Sequence, residues 1–263
     1  MTAAAPLLRT RRLTKRYPEV TAVDGLDVEV PRGRVGLVGA NGAGKTTLFR
    51  MMLGLSLPTE GELEVVGVDV ARDPLGVRSR VGFMPEHECL PLDQTAADVV
   101  ATFGELSGLP PRAARQRASD VLDLVGLDEA RFRPVGGFST GMRQRTKLAQ
   151  ALVADPELVL LDEPTAGLDP IGAANFDNLT RDLADTLGLT VFLITHDLDT
   201  LYAICDRVAV LADKKVVAVG TIPELLELDH PWIQEYFGGP RSRAAQVTST
   251  RAKAMDNAAD GKA

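Results

Sequence analysis

The stretch Gly39-Ala40-Asn41-Gly42-Ala43-Gly44-Lys45-Thr46-Thr47 decides the fold of this chain. It follows the apolar run at residues 35–38 and precedes a helix-like run that ends at Leu53. Strand, glycine-rich turn and helix form the context in which the pattern G-x-x-x-x-G-K-[ST] makes a phosphate site. Gly42 and Gly44 can adopt backbone angles closed to other residues, so successive N–H groups can point into one concavity. The sequence therefore predicts that this protein binds a nucleoside triphosphate.

Two side chains of this stretch carry the expected chemistry. The ammonium group of Lys45 would reach the β- and γ-phosphates, and the hydroxyl of Thr46 would ligate Mg²⁺. The helix that begins near Lys45 adds unpaired N–H donors and the positive end of its dipole. The alternative is a glycine-rich turn before an ordinary helix. The filled positions of the pattern favour the phosphate site.

Composition and charge narrow the function classes. The chain has 263 residues, of which 45% are hydrophobic and 25% charged, as in a soluble protein with one large domain or one domain with an insertion. Its net charge of −7 argues against non-specific binding to nucleic acid, so we expect no nucleic-acid partner. Cys89 and Cys205 belong to no C-x-x-C pair, which predicts a reducing compartment and no zinc or disulfide framework.

The sequence lacks the patterns typical of membrane spans and signal peptides, which favours the same reducing compartment. No apolar run approaches the ~20 residues that a membrane-spanning helix needs. The opening Met1-Thr2-Ala3-Ala4-Ala5-Pro6 lacks the cationic and apolar regions of a signal peptide. We therefore expect a cytoplasmic protein that takes part in membrane processes only through a partner.

Two further apolar strands end in candidate functional residues. Residues 158–161 show no alternation, which indicates a strand buried on both faces of a parallel sheet, and Asp162 and Glu163 follow it. Ligands bind at the carboxyl ends of the strands in such sheets. Two carboxylates would be costly to bury there without a cation, which favours a Mg²⁺–phosphate partner over a structural role. A lone histidine is usually structural, but His196 follows the strand at residues 191–194, at the same predicted edge.

The rest of the sequence predicts antiparallel strands, a helical segment and a disordered tail. Residues 7–33 alternate apolar and polar positions around a turn at Pro18-Glu19, which predicts antiparallel strands. Residues 95–127 have a helical pattern that is broken at residues 108–111. Residues 241–263 are rich in small polar residues and almost free of aromatic ones, which predicts a disordered tail.

Three positions stay open on residue patterns alone. Ser139 is a natural N-cap and Gly141 permits close backbone approach to another group, but a well-capped helix with no further role fits equally well. Tyr17, shortly upstream of the phosphate loop, is typical of a packed aromatic at a sheet edge.

These motifs, in this order over about residues 7–240, resemble the ATP-binding-cassette (ABC) ATPase family. Residues 39–46 match its Walker A motif, residues 158–163 its Walker B motif, and Ser139-Thr140-Gly141-Met142 its signature motif. Gly167-Leu168-Asp169-Pro170 is similar to the D-loop, and His196 to the switch histidine.

The resemblance implies an α/β fold with three parts. These are a P-loop NTPase (RecA-like) core, an antiparallel β subdomain, and an inserted α-helical subdomain at about residues 88–150. It also implies that ATP is the nucleotide and that Tyr17 stacks on its adenine. The implied nucleotide-binding residues are Tyr17, Gly39, Ala40, Asn41, Gly42, Ala43, Gly44, Lys45, Thr46, Thr47, Ser139, Gly141 and Asp169.

The resemblance also implies roles in hydrolysis. Thr46 and, through water, Asp162 would hold Mg²⁺, while Glu163 polarises the attacking water and His196 contacts the γ-phosphate. Where most members carry a Q-loop glutamine, this sequence has Glu86. A glutamate there either ligates the metal more strongly or disfavours the closed state; the alternative is simple subfamily variation.

Partners follow from the same resemblance. The family forms head-to-tail dimers, here a homodimer, in which Ser139 and Gly141 of one copy contact the γ-phosphate held by Lys45 of the other. The dimer binds an integral membrane permease, so we expect a peripheral protein on the inner face of the cell membrane.

The two parts of the chain resemble different relatives. Residues 7–165 look most like ATPases of ABC-2 type exporters. Residues 168–243 are similar to ATPases of MCE-type (Mla-like) phospholipid transporters, whose C-terminal segment packs on the neighbouring ATPase. Trp232, Tyr236 and Phe237 would then cover either that neighbour or their own domain. Because permease choice rests on the helical insertion, the sequence favours an exporter. The alternatives are a lipid transporter with an MCE-domain partner and a soluble assembly ATPase.

Overall fold

The structure is a computed structural model that describes residues 6–239. The tail predicted at residues 241–263 lies outside the described residues. In chain order the elements are strands β1 (Leu8–Tyr17), β2 (Val20–Val30) and β3 (Arg34–Gly39), helix α1 (Lys45–Met52), β4 (Glu60–Val65), β5 (Val68–Asp69), α2 (Pro74–Arg78), β6 (Val81–Met84), α3 (Ala96–Leu106), α4 (Pro111–Leu124), two 3-10 helices (Asp128–Phe132 and Val135–Gly137), α5 (Thr140–Leu152), β7 (Leu158–Asp162), α6 (Pro170–Leu187), β8 (Thr190–Ile194), α7 (Leu198–Ile204), β9 (Arg207–Ala212), β10 (Lys215–Gly220), α8 (Ile222–Leu226) and α9 (Pro231–Gly238).

A six-stranded sheet forms the centre of the described chain. Its strand order is β10-β9-β3-β8-β7-β6, and every neighbouring pair is parallel except β10 with β9. The two uninterrupted apolar runs of the sequence became β7 and β8, and all residues of β8 are buried. Such runs form strands that are covered on both faces, so the parallel sheet expected from them is confirmed.

Separate hydrophobic cores lie on the two faces of this sheet. Successive residues of β7 point to opposite cores, since Leu160 packs with α1 and the four-stranded sheet while Leu161 packs with the helices. The aromatic rings of Phe49 and Phe192 meet in the first of these cores with centroids 5.6 Å apart. The alternation fixes the register of the strands, because a slip of one residue would exchange the two faces.

A four-stranded antiparallel sheet, in the order β2-β1-β4-β5, contains the first two strands of the chain. Leu8 pairs with Val30 and Tyr17 with Val20, around the turn at Pro18-Glu19. The predicted antiparallel strands are therefore confirmed. Tyr17 ends β1 at the side of the sheet that faces the phosphate loop.

Helices α3 and α4 lie within residues 95–127, the segment predicted to be helical. Thr95 caps α3 by accepting a hydrogen bond from the N–H of Asp98 at 3.1 Å. The predicted break at residues 108–111 is confirmed: Gly108 has a φ of 98°, and Pro111 begins α4, where its missing N–H costs nothing.

The C-terminal helix α9 packs on its own chain. Ile233 and Phe237 are buried in the core that faces the helices, and Trp232 stacks on Tyr236 with ring centroids 4.7 Å apart. The sequence left two surfaces open for these aromatic residues. Phe237 covers its own domain, and the hydroxyl of Tyr236 lies 3.4 Å from the carbonyl oxygen of His196.

A buried carboxyl group joins α6 to α7. Asp177 is only 2% exposed and accepts the Thr200 hydroxyl, whose oxygen lies 3.2 and 3.1 Å from its two carboxylate oxygens. The Thr200 hydroxyl also lies 3.2 Å from the hydroxyl of Thr165, which is a further hydrogen-bonding partner. Burial, with the charges of Asp197 and Asp199, raises the pKa of Asp177 to about 7, although the Thr200 bond lowers it.

Asp177 should make stability depend on pH. Its folded pKa lies above the ordinary value of 3.8, so the stability that its protonated form provides is lost as the pH rises from 3.8 to about 7. Asp177→Asn keeps the shape without the charge. We expect its gain in the free energy of unfolding to be about 1–3 kcal/mol larger at pH 8 than at pH 5.5. Urea unfolding at both pH values measures this.

The matched control is Asp182→Asn, on the exposed side of the same helix. It should change the free energy of unfolding equally at the two pH values. An equal effect of Asp177→Asn at both would mean that Asp177 is ionised throughout.

Candidate functional site

The phosphate loop joins β3 to α1, and its geometry depends on Gly44. This residue is the N-cap of α1 and has a φ of 108°, a conformation that residues with a Cβ rarely adopt. A Cβ atom on Gly44 would also lie 2.4 Å from the carbonyl oxygen of Ala22. The N–H of Leu48 donates to the carbonyl of Gly44 at 2.9 Å, so α1 begins directly after Gly44. The loop thus closes against β2 only with glycine at this position.

Lys45 is the first residue of α1, and its side chain turns back over the loop. Its ammonium group donates to the carbonyl oxygens of Gly39 at 2.6 Å and Ala40 at 3.0 Å. Burial lowers the pKa of Lys45, whereas the carboxylates of Glu163 and Asp162 raise it. A cation therefore lies between the glycine-rich loop and two carboxylates, where it can bind anionic oxygens.

Glu163 and His196 meet because β7 and β8 are neighbouring parallel strands. Asp162 pairs with Ile194, and the N–H of Glu163 donates to the carbonyl of Ile194 at 2.9 Å. The Glu163 Oε1 and His196 Nδ1 atoms lie 2.8 Å apart, and the His196 N–H donates to Glu163 Oε2 at 3.4 Å. The Glu163 side chain is 14% exposed, while that of His196 is 84% exposed. The carboxylate is thus enclosed and its imidazole partner is open to solvent.

The backbone of Glu163 is strained. Its φ of 46° lies in the left-handed region, which is uncommon for a residue with a side chain. Such strain costs of order 1–3 kcal/mol and persists where the surroundings hold it. Here the bonds to Ile194 and His196 hold it, and they direct the carboxylate into the cleft.

Asp162 lies in a region of crowded negative charge. Burial and the nearby carboxylates of Glu86 and Glu163 raise the pKa of Asp162 to about 6, while His87 and Lys147 lower it. A divalent cation would reverse this shift, because it favours the ionised carboxylate.

The donor set fits Mg²⁺ held jointly with phosphate. Within residues 6–239 no three or more His, Cys, Asp or Glu side chains are arranged to hold a metal ion by themselves. Mg²⁺ commonly binds through one or two protein oxygens, with water and phosphate oxygens completing its shell. The hydroxyl of Thr46 and the carboxylate of Asp162 line one cleft and would suffice.

Most of the predicted site residues surround a single cleft of about 550 Å³. Its lining includes the predicted residues Tyr17, Asn41, Gly42, Gly44, Lys45, Thr46, Thr47, Glu86, Asp162, Glu163 and His196. Of the other predicted loop residues, Gly39 and Ala40 supply the carbonyls that hold Lys45, and Ala43 donates its N–H to Ala40 at 3.1 Å. The 37% exposed ring of Tyr17 stands at the edge of the cleft.

Ser139, Gly141 and Asp169 do not line this cleft. Ser139 caps α5 by accepting from the N–H of Met142 at 3.3 Å, and Asp169 caps α6 by accepting from Ile171 and Gly172. A Cβ atom on Gly141 would lie no closer than 3.9 Å to its nearest neighbour, Leu168. Packing within one chain therefore does not require glycine at position 141. The N-termini of α5 and α6, capped by Ser139 and Asp169, form a second surface outside the cleft.

Lys147 was not predicted as a site residue, and it donates to the carbonyl oxygen of Glu86 at 2.9 Å. A charged residue on the apolar side of α5, beside Leu148 and Ala151, was the available signal. Ala22 and Ile194 also line the cleft, but nothing in their residue type distinguishes them.

The central parallel sheet, the glycine-rich loop at the end of β3 and the carboxylates at the end of β7 define a P-loop NTPase. A protein-family model described as ABC transporter matches residues 23–166. The daunorubicin resistance ATP-binding protein DrrA3 of Streptomyces coeruleorubidus is 42% identical over 212 residues, which cover 80% of this chain and 67% of that protein.

Further comparisons agree. The Nod factor export ATP-binding protein I of Ralstonia nicotianae is 37% identical over 85% of this chain and 70% of its own length. The methionine import ATP-binding protein MetN of Streptomyces griseus is 39% identical over 84% of this chain and 66% of its own length. The solved structure of cbiO1 from Clostridium perfringens, part of the complex cbiONQ, shares the fold with a TM-score of 0.78, 24% identity, and coverage of 96% and 99%.

The chain belongs to the ABC transporter ATP-binding family, whose members are ATPases coupled to transport. It spans about two thirds of the length of these curated relatives. They include proteins named for export and for import, so they define an ATP-binding subunit and leave the direction of transport open. Among residues 6–239, every helix is too short or too polar to traverse a lipid bilayer.

Gly44→Ala should disrupt the phosphate loop. The new methyl group meets the Ala22 carbonyl and the positive φ becomes strained, so we expect a loss of at least about 2 kcal/mol in stability. In a domain of this size that lowers the Tm by about 4–8 °C. ATP affinity should fall as well. Thermal melting without nucleotide, followed by titration with a fluorescent ATP analogue, measures both.

Gly141→Ala is the control, because its Cβ meets only an ordinary contact and helices tolerate alanine well. We expect its Tm to match or exceed that of the wild type. Equal melting and nucleotide affinity of Gly44→Ala and the wild type would contradict the account of the loop.

Proposed function

We propose that this chain is the motor of an ABC-2 type exporter, which hydrolyses ATP at the cytoplasmic face of the membrane and drives a separate permease. The observation that carries the hydrolytic role is the 2.8 Å contact between Glu163 and His196, in the cleft that also contains Lys45 and Thr46. A carboxylate and an orienting imidazole beside a phosphate loop can activate water. We assign the ATPase domain to residues 7–240 and its helical subdomain to about residues 88–150.

In this proposal one part of the cleft binds the adenine of ATP and another part binds its phosphates. The ring of Tyr17 stacks on the adenine at the edge of the cleft, since a flat aromatic surface recognises a base without needing hydrogen bonds. The N–H groups of residues 39–47 and the start of α1 surround the phosphates. Lys45 exchanges the carbonyls of Gly39 and Ala40 for phosphate oxygens, which are stronger acceptors because they are charged.

Hydrolysis then needs an oriented water molecule. Glu163 accepts a proton from that water, and the strain in its backbone fixes the direction of the carboxylate. His196, whose ring is open to solvent, turns from Glu163 towards the γ-phosphate and donates a hydrogen bond to it. Thr46 and, through water, Asp162 would hold Mg²⁺, which would supply positive charge to offset the negative charge of the β- and γ-phosphates. The carboxylate of Glu86 lies in the same cleft and is a further candidate ligand.

A second copy of the chain completes the site in this proposal. Ser139, Gly141 and Asp169 lie outside the cleft of their own chain, on two helix N-termini. Helix N-termini favour anions through their free N–H groups and dipole. Gly141 has no packing requirement within one chain, which supports a close approach by a partner. A head-to-tail homodimer brings this surface to the γ-phosphate held by Lys45 of the other copy.

A groove on the chain is the proposed permease site. It has a volume of about 610 Å³ and lies where α2 and β6 face the helical segment, with Phe83 and Phe103 in its lining. Leu55, Leu75 and Leu106 line it while remaining exposed to solvent. Exposed apolar side chains gathered around a groove are typical of a protein-binding site. A short amphipathic helix of a permease would bury them.

The direction of transport is the finer part of the proposal. The exporter-like sequence at residues 7–165 contains the whole groove, and the similarity to a Nod factor export protein supports export. The similarity to methionine import proteins makes import a second candidate. The lipid-transport alternative gains no support from α9, because Phe237 covers its own domain.

Glu163→Gln tests the hydrolytic role. General-base assistance is worth about 10²–10⁴ in rate, so we expect ATP turnover to fall at least about 100-fold while ATP affinity stays within about threefold. Phosphate release and nucleotide binding measure the two effects. The control is Glu157→Gln, at the other end of β7, which should keep normal turnover. Near-normal turnover of Glu163→Gln would remove Glu163 from this role.

Co-purification from membranes in mild detergent, with mass spectrometry, tests the partner. We expect an ABC-2 permease. Leu106→Asp, at a groove position that is 78% exposed, should abolish its recovery while ATP binding persists, because a charge cannot be buried there cheaply. Leu187→Asp, outside the groove, should behave as the wild type. Recovery of an MCE-domain protein would indicate lipid transport, a substrate-binding protein would indicate import, and no membrane protein would indicate a soluble role.

A further inference from the structure

Lys147 is a buried cation in the middle of helix α5. It is only 3% exposed and belongs to the helix side that also buries Gln144, Leu148 and Ala151. Its ammonium group donates a 2.9 Å hydrogen bond to the carbonyl oxygen of Glu86. The contact joins the helix that begins after Ser139 to the segment that leaves β6.

Hydrophobic packing does not explain a lysine here. Enclosing an ammonium group is costly unless it is paired and hydrogen-bonded, and a methionine would fill similar space without that cost. Burial lowers the pKa of Lys147, while its neighbours raise it: Cys89, Glu88, Glu86 and Asp162. The lysine is therefore stabilised by the Glu86 carbonyl and by negative charge at the edge of the nucleotide cleft.

A fixed backbone at Glu86 would help to keep its carboxylate in the cleft. It lies in the exposed segment after β6, and its side chain lines the cleft with Asp162 and Glu163. A carboxylate in an exposed segment loses side-chain and backbone freedom when it is held in one place. Lys147 approaches the same residue from the protein interior and holds its carbonyl group.

We propose that Lys147 is a positioning residue for ATP hydrolysis: its ammonium group fixes the Glu86 carbonyl, directs the Glu86 carboxylate into the nucleotide cleft and offsets the negative charge there. This inference rests on the proposed role of Glu86 in the cleft. It explains how a glutamate is accommodated at the Q-loop position, beside two other carboxylates. Lys45 provides positive charge from the phosphate loop, and Lys147 provides it from α5.

The first experiment measures how strongly Lys147 restrains the segment around Glu86 in the absence of nucleotide. Endoproteinase Glu-C cleaves after Glu86 and Glu88, and cleavage of the intact protein is followed by mass spectrometry. A hydrogen bond to a charged group is worth enough that Lys147→Met should accelerate cleavage at these sites about tenfold or more. Lys147→Arg keeps a cationic donor and should remain within about threefold of the wild type.

Arg145→Met is the matched control. Arg145 is on the same helix and also donates from a cationic side chain to a backbone carbonyl, that of Val125 at 2.8 Å. Its loss should leave cleavage after Glu86 and Glu88 unchanged. Unchanged cleavage in Lys147→Met, or equal acceleration in the Met and Arg variants at position 147, would overturn the proposal, because packing alone would then explain Lys147.

The second experiment asks whether Lys147 acts through Glu86. We expect Lys147→Met to lower kcat about tenfold and to leave KM for ATP within about twofold, since the phosphate loop and Tyr17 are intact. In a Glu86→Ala background, the same substitution should lower kcat less than about twofold further. An undiminished loss of kcat in that background would refute positioning through Glu86.

The two experiments separate this inference from the proposed function. Glu-C cleavage needs no turnover, so it decides whether Lys147 holds Glu86 even if the wild-type chain hydrolyses no ATP. A wild type without ATPase activity would contradict the proposed hydrolytic role alone. Normal activity with unchanged cleavage in Lys147→Met would contradict the role of Lys147 alone.

Discussion

The parallel pairing of β3, β8 and β7 is the constraint on which the site depends. Leu37 and Asp162 both pair with Ile194, so the three strands end at one edge of the sheet. The phosphate loop, Glu163 and His196 follow these strand ends directly. Because burial on both faces fixes the register, none of these groups can move along the sheet without exchanging the two hydrophobic cores. The backbone at these strand ends is therefore held in place by the core beneath it.

This arrangement concentrates negative charge. Asp162, Glu163 and Glu86 line one cleft, and the pKa of Asp162 is raised by burial and then by the charges of the other two carboxylates. Lys45 and Lys147 both interact with Asp162, one from the phosphate loop and one from α5. Removing either lysine would leave these carboxylates with less compensating positive charge in a partly buried cleft.

The sequence predicted the parts that depend on local pattern. The glycine-rich loop, the apolar strands and the carboxylates after residue 161 were predictable because strand ends of a parallel sheet share one edge. The contact between Lys147 and Glu86 joins residues 61 apart, and it depends on how α5 packs over the end of β6. The burial of Phe237 likewise follows from packing of α9, for which the sequence offered two surfaces. Side-chain contacts across elements are set by tertiary geometry, which periodicity does not contain.

Helix α5 connects the cleft to the second surface. Ser139 caps its N-terminus, Gln144 donates to the carbonyl of Ala166 at 3.0 Å, and Lys147 donates to that of Glu86 at 2.9 Å. Gln144 and Lys147 are three residues apart, about 4.5 Å along the axis. Their two bonds tie the segments after β6 and β7 to one helix, and both segments carry carboxylates of the cleft.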